Sequence, residues 1–69
     1  MITYFADSML ERRPLLLRRV EDDGGITDEA YVGGAWGPTT LIVDYMFGHN
    51  DYADEISEAE ARRLEPSAI

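Results

Sequence analysis

The chain has 69 residues, 14 acidic side chains against 6 basic ones, a formal net charge of −8 and no cysteine. That length holds one domain, burying only ~60% of the area its unfolded form exposes; without cysteine, disulfides and thiolate zinc sites are excluded, leaving an efficient core or self-association as stabilisers. The negative charge opposes the counterion release that drives nucleic-acid binding, the longest apolar runs (Leu15 to Leu17, Leu41 to Val43, Tyr45 to Phe47) are too short to span a bilayer, and Met1 opens no leader pattern, so neither direct nucleic-acid binding nor a membrane is expected and the expected compartment is the cytoplasm.

Ile2 to Phe5 is β-branched and aromatic, which predicts a short first strand. Ser8 to Arg13, before Pro14, reads as one helical turn or a loop. Leu15 to Val20 predicts a second strand. It ends in Glu21-Asp22-Asp23-Gly24-Gly25, where Asp-Gly and Gly-Gly supply the positive φ values of a tight turn. A hairpin follows, with a return strand from about Thr27 to Val32 and a second turn at Gly33-Gly34. Ala35-Trp36 then begins a short strand before Gly37-Pro38 breaks the ladder.

Thr39 or Thr40 is placed to cap a helix over about 39 to 47, and Gly48 to end it as the C′ residue. Plotted at 100° per residue, Leu41, Ile42, Val43, Tyr45, Met46 and Phe47 spread over roughly 240° of this helix, whereas a surface helix needs an apolar stripe only ~100° wide. The helix is therefore expected to touch something outside its own sheet, first a second copy in a symmetric homodimer and otherwise a heterologous partner, unless the N-terminal segment and the last helix fold across its outer face. His49 to Glu55 reads as a polar loop. Ser57-Glu-Ala-Glu60 is a capping box with Ile56 at the staple position, Glu58 and Arg62 form an i,i+4 pair, and Pro66 ends the second helix near Glu65. All six basic residues are arginine, in three adjacent pairs. Neighbours in a strand point to opposite faces, so an Arg-Arg pair in a strand does not make a patch.

The run from about Arg18 to Ala61 carries Asp23-Gly24-Gly25, Glu29-Ala-Tyr-Val-Gly-Gly34, Trp36-x-Pro38-Thr39, Asp44-Tyr45-x-x-Gly48 and Glu55-Ile-Ser-Glu-Ala-Glu-Ala61. In these it resembles small uncharacterised proteins of actinobacteria and their phages. The resemblance implies a short hairpin, an anchoring Trp, a helix and an acidic tail, and brings no activity or functional residue with it. The segment through Pro14 lies outside it.

Chemistry-bearing constellations are sparse. His49 with Asn50, Asp51, Asp54 and Glu55 lacks the alternating oxygens and turn glycine of a calcium loop, and a lone histidine without cysteine is poor for zinc. Ser57 is committed to its cap, and the Gly-Gly pairs are explained as turns, so no cofactor, metal site or catalytic residue is expected. Two binding features remain. Trp36, Tyr45, Met46 and Phe47 are candidate anchors for a protein partner or a homodimer. Asp51, Asp54, Glu55 and Glu58 form an acidic run suited to imitating a phosphate backbone. The expectation is an α+β domain with three to four short antiparallel strands and two short helices. Its expected role is that of a non-enzymatic protein-binding protein; in the phage context that the resemblance implies, this means an accessory protein acting on a host protein. The alternatives are an acidic inhibitor of a DNA- or RNA-binding protein, or a self-associating subunit.

Overall fold

The computed structural model describes residues 1–9 and 13–69. It is an α+β fold built on one antiparallel sheet. The strands are β1 (Ile2–Asp7), β2 (Leu15–Asp22), β3 (Gly25–Val32), β4 (Ala35–Pro38) and β5 (Ala53–Ile56), in the spatial order β4-β3-β2-β1-β5. Helix α1 (Leu41–Met46) lies in the connection that carries the chain from the β4 edge back to the β5 edge. Helix α2 (Glu58–Leu64) and a short 3-10 turn at Pro66–Ala68 follow.

The first four strands form a meander whose last two turns follow from glycine. At the β3–β4 turn, Gly33 and Gly34 both have positive φ (60° and 83°), the type I′ pattern whose twist matches that of the flanking strands. At the β2–β3 turn only Gly25 is in that region, and the Asp22 carboxylate accepts a hydrogen bond from the Gly24 N–H at 2.8 Å. The ladder consequently runs to the pair Asp22–Gly25, so β3 begins two residues before the predicted Thr27.

Other readings also need correction, the first being that β1 runs on past Phe5 to Asp7 and β2 past Val20 to Asp22, where each still has a strand to pair with. β4 does not stop at Trp36, because pairing continues through Ala30–Gly37 to Glu29–Pro38. Proline is tolerated there since β4 is an edge strand and the ladder asks nothing of its missing N–H. The stretch read as a loop up to Glu55 contains β5, which pairs with β1 from Asp7–Ala53 to Tyr4–Ile56 and makes the fifth strand. Its two charged residues, Asp54 and Glu55, suit an edge that must resist adding another chain. Of the Ser8 to Arg13 segment, Ser8 and Met9 follow β1 without helix, Arg13 lies at a bend, and 10–12 lie outside the described residues.

Both faces of the sheet are covered. Period-two alternation places Phe5, Leu17 and Ala30 on one face, where they pack with Ile42 of α1, and Tyr4 and Leu16 on the other, where they pack with Ala61 of α2. Leu16 and Leu17 are both fully buried, although they are adjacent in one strand. The Leu15-Leu-Leu run thus reflects a strand with a helix on each side.

The helix ends are as read, with one exchange. Thr40 occupies the N-cap position of α1 without a side-chain bond, and the Thr39 hydroxyl instead accepts from the Leu41 N–H at 3.2 Å. At the other end, Gly48 (φ 78°) donates to the Tyr45 carbonyl and His49 to the Asp44 carbonyl, a Schellman closure. In α2 the Ser57 hydroxyl accepts from the Glu60 N–H while the Glu60 carboxylate accepts from the Ser57 N–H. Ser57→Ala is expected to cost about 1 kcal/mol, read as a lower denaturation midpoint.

Candidate protein-binding surface

On α1, Ile42 is buried, Leu41 is half-buried, and Tyr45 leans on Phe5 with ring centroids 5.8 Å apart. The opposite side of the helix faces outward: Val43 is 40% exposed, Met46 59% and Phe47 74%. These three stand at i, i+3 and i+4, the spacing of neighbours on one helix surface. Met46 also touches the sheet, where its Sδ accepts a hydrogen bond from Arg19 Nη1 at 2.8 Å. Val43 belongs to the ridge although it is not among the four anchors suggested by the sequence; its position one turn before Phe47 carries the signal.

The helix is held firmly at its N-terminal end. Asn50 donates from Nδ2 to the buried Asp7 carboxylate at 2.8 Å and to the Leu41 carbonyl at 3.3 Å, and accepts from the Tyr52 N–H at 3.0 Å. The second Asp7 oxygen accepts from the Met9 N–H at 2.9 Å. Asn50 is thus a structural strut between β1, α1 and β5. Asp7 carries no pattern signal in the sequence, since it is one acid among many.

Trp36 does not join this ridge. It lies on the α2 face, where it pairs with Tyr31 (centroids 5.2 Å) and carries the Arg18 guanidinium 4.0 Å above its ring. Arg18 also binds Glu29 at 2.8 Å. The four candidate anchors therefore divide, with Tyr45, Met46 and Phe47 on one side of the sheet and Trp36 on the other. Trp36 is half-buried against the α2 cluster. Trp36→Ala is expected to lower stability by about 2 kcal/mol, less than for a fully buried ring, and to leave any contact made through α1 intact.

The acidic residues are dispersed in the same way. Asp51 is exposed in the loop after α1, Asp54 and Glu55 project from β5 to opposite faces, and Glu58 pairs with Arg62 at 3.6 Å. Ser57 is held in its cap, and the Ser8 hydroxyl donates to the Tyr52 carbonyl at 3.1 Å. On the α2 side, a shallow depression of about 340 Å³ is lined by Ala6, Pro14, Ile56 and Leu64, with Glu60 and Arg63 at it. Among the described residues, no helix is long and apolar enough to cross a membrane. Compared with protein-family models, curated proteins and solved structures, the chain matches none.

Proposed function

We propose that this is a non-enzymatic protein-binding accessory protein whose docking element is the outer ridge of α1, formed by Val43, Met46 and Phe47. The exposure of Phe47 carries the reading: a large ring stands in solvent on a helix that a Schellman closure and the Asn50 strut hold rigidly, so presenting it costs little ordering entropy on binding. In the phage setting suggested by the sequence resemblance, the partner is a host protein and the outcome is modulation of that protein.

Phe47→Asp is the variant of choice, because Asp at position 46 would face Arg19 and acquire a new ion pair. Affinity capture from a host lysate is expected to retain a discrete protein on the parent and on Trp36→Ala, and to lose it on Phe47→Asp. Equal capture by Phe47→Asp would remove α1 from the contact. A second reading, the acidic nucleic-acid mimic, is favoured by Asp51, Asp54 and Glu55, which have no cationic partner among the described residues. It predicts that charge reversal at Asp54 and Glu55 abolishes capture and that heparin competes.

A further inference from the structure

We infer that the α1 ridge receives a basic amphipathic helix of another protein and not a second copy of this chain; the inference rests on α1 being the docking element. The observation behind it is how the sheet divides the charges. Arg18 stands on the α2 face with Glu29, Arg13 bonds the Leu64 carbonyl and Glu65, and Arg62 and Arg63 are on α2 itself. On the α1 face, the one described arginine is Arg19, and its guanidinium is consumed by Asp28. Asp44 lies in α1 itself, Asp51 is exposed in the loop that follows it, and Glu55 projects from β5 to the same face as Phe5. None of these three has an ion-pair partner among the described residues.

An apolar ridge accompanied by uncompensated carboxylates selects its occupant by charge. A two-fold contact would set each patch against itself, bringing the same three carboxylates of each copy together between molecules that each carry −8. Like charges opposed across an interface cost several kcal/mol, whereas complementary ones steer the encounter and fix the register. Val43 and Phe47 at i,i+4 form a ridge suited to the groove of a facing helix. Such a helix needs Leu-type side chains toward the ridge and Lys or Arg at its margins.

The test uses three fluorescent 21-residue peptides with the full-length protein: a helical Leu/Lys amphipath, the same peptide with Glu for Lys, and a Leu/Lys scramble without an apolar face. The amphipath is expected to bind in the micromolar range. The Glu version and the scramble are expected to bind at least about tenfold more weakly. Phe47→Asp should cut amphipath affinity about tenfold, and Asp44→Asn with Glu55→Gln should cut it several-fold and flatten its salt dependence. Circular dichroism of these variants, all at exposed or half-buried positions, shows whether the fold is kept. Should one fail to fold, Val43→Lys serves in its place, with the same loss expected. Equal binding of the Glu peptide, or undiminished binding by folded Phe47→Asp, would overturn the inference. So would a homodimer in sedimentation equilibrium that Phe47→Asp dissolves, which would leave α1 as the docking element but make its occupant a second copy. Failure of all three peptides overturns the basic-helix occupant, while Phe47-dependent capture of another protein would still uphold the α1 reading.

Discussion

Leu17→Ala is expected to lower the stability of this protein by about 3 kcal/mol. Leu17 is fully buried on the α1 face, in contact with a cluster formed by Phe5, Ala30 and Ile42. Deleting its isobutyl group removes the transfer free energy and leaves a cavity that a two-stranded environment on either side of β2 cannot close. A domain of this size has a total stability of roughly 3 to 10 kcal/mol, so the variant should be largely unfolded near its growth temperature or show a much reduced urea midpoint at unchanged slope. Leu16→Ala should behave alike, because Leu16 is equally buried on the other face. Ile26→Ala is the contrast: Ile26 is 61% exposed, and its loss should stay within about 0.5 kcal/mol. If Leu16→Ala proved as mild as Ile26→Ala, α2 would not be covering its face of the sheet.

Features with local causes were legible in the sequence. Ser57 and Glu60 sit three apart and satisfy each other, so the start of α2 needs no knowledge of the rest of the chain. Gly33-Gly34 and Gly48 take conformations that other residues rarely adopt, and they mark a turn and a helix end directly. Arg18 and Arg19 do point to opposite faces, each bound to the carboxylate across from it on β3.

What could not be read was non-local. β5 has two charged residues in four, and its only reason to be extended is the free edge of β1, about fifty positions earlier, so no window around Ala53 could reveal it. Trp36 and α1 are near in sequence, yet one β-strand parity separates them: Trp36 shares a pleat with Tyr31 and α1 covers the other side, through Ala30. Whether two apolar neighbours make one surface depends on the register of β3 against β4, which only the folded sheet defines. The excess apolar breadth of α1 did have a structural counterpart. Neither escape route for it was taken among the described residues, because α2 lies on the far side of the sheet and Val43, Met46 and Phe47 stay in solvent.

Asp28→Ala is expected to be as damaging as a core truncation, costing about 3 kcal/mol. Arg19 and Asp28 face each other across β2 and β3 with two parallel bonds, Nε to Oδ1 at 2.7 Å and Nη2 to Oδ2 at 2.8 Å, and their side chains are only 11% and 9% exposed. The hydrogen bond to Asp28 raises the Arg19 pKa above its usual value, against the lowering effect of burial and with Coulombic support from Asp28 and Glu21. A raised pKa means that Arg19 is charged at neutral pH and loses its proton, and with it the attraction to Asp28, only above the usual guanidinium range. Removing Asp28 then leaves a guanidinium in a site that excludes most water. Its remaining hydrogen-bond acceptor, the Met46 sulfur, is too weak to replace a carboxylate, and Glu21 acts on it only through space. The loss should propagate to α1, loosening Met46 and blurring the ridge. Arg18 and Glu29 provide the internal control, since that pair is 24% and 23% exposed and Arg18 keeps the Trp36 ring; Glu29→Ala should cost only about 1 kcal/mol. Removing both charges as Arg19→Met with Asp28→Leu should recover most of what Asp28→Ala loses, because the penalty comes from the stranded charge more than from the missing attraction. Urea denaturation of the three variants measures this, and a double variant no more stable than Asp28→Ala would show instead that the pair itself holds β2 and β3 in register.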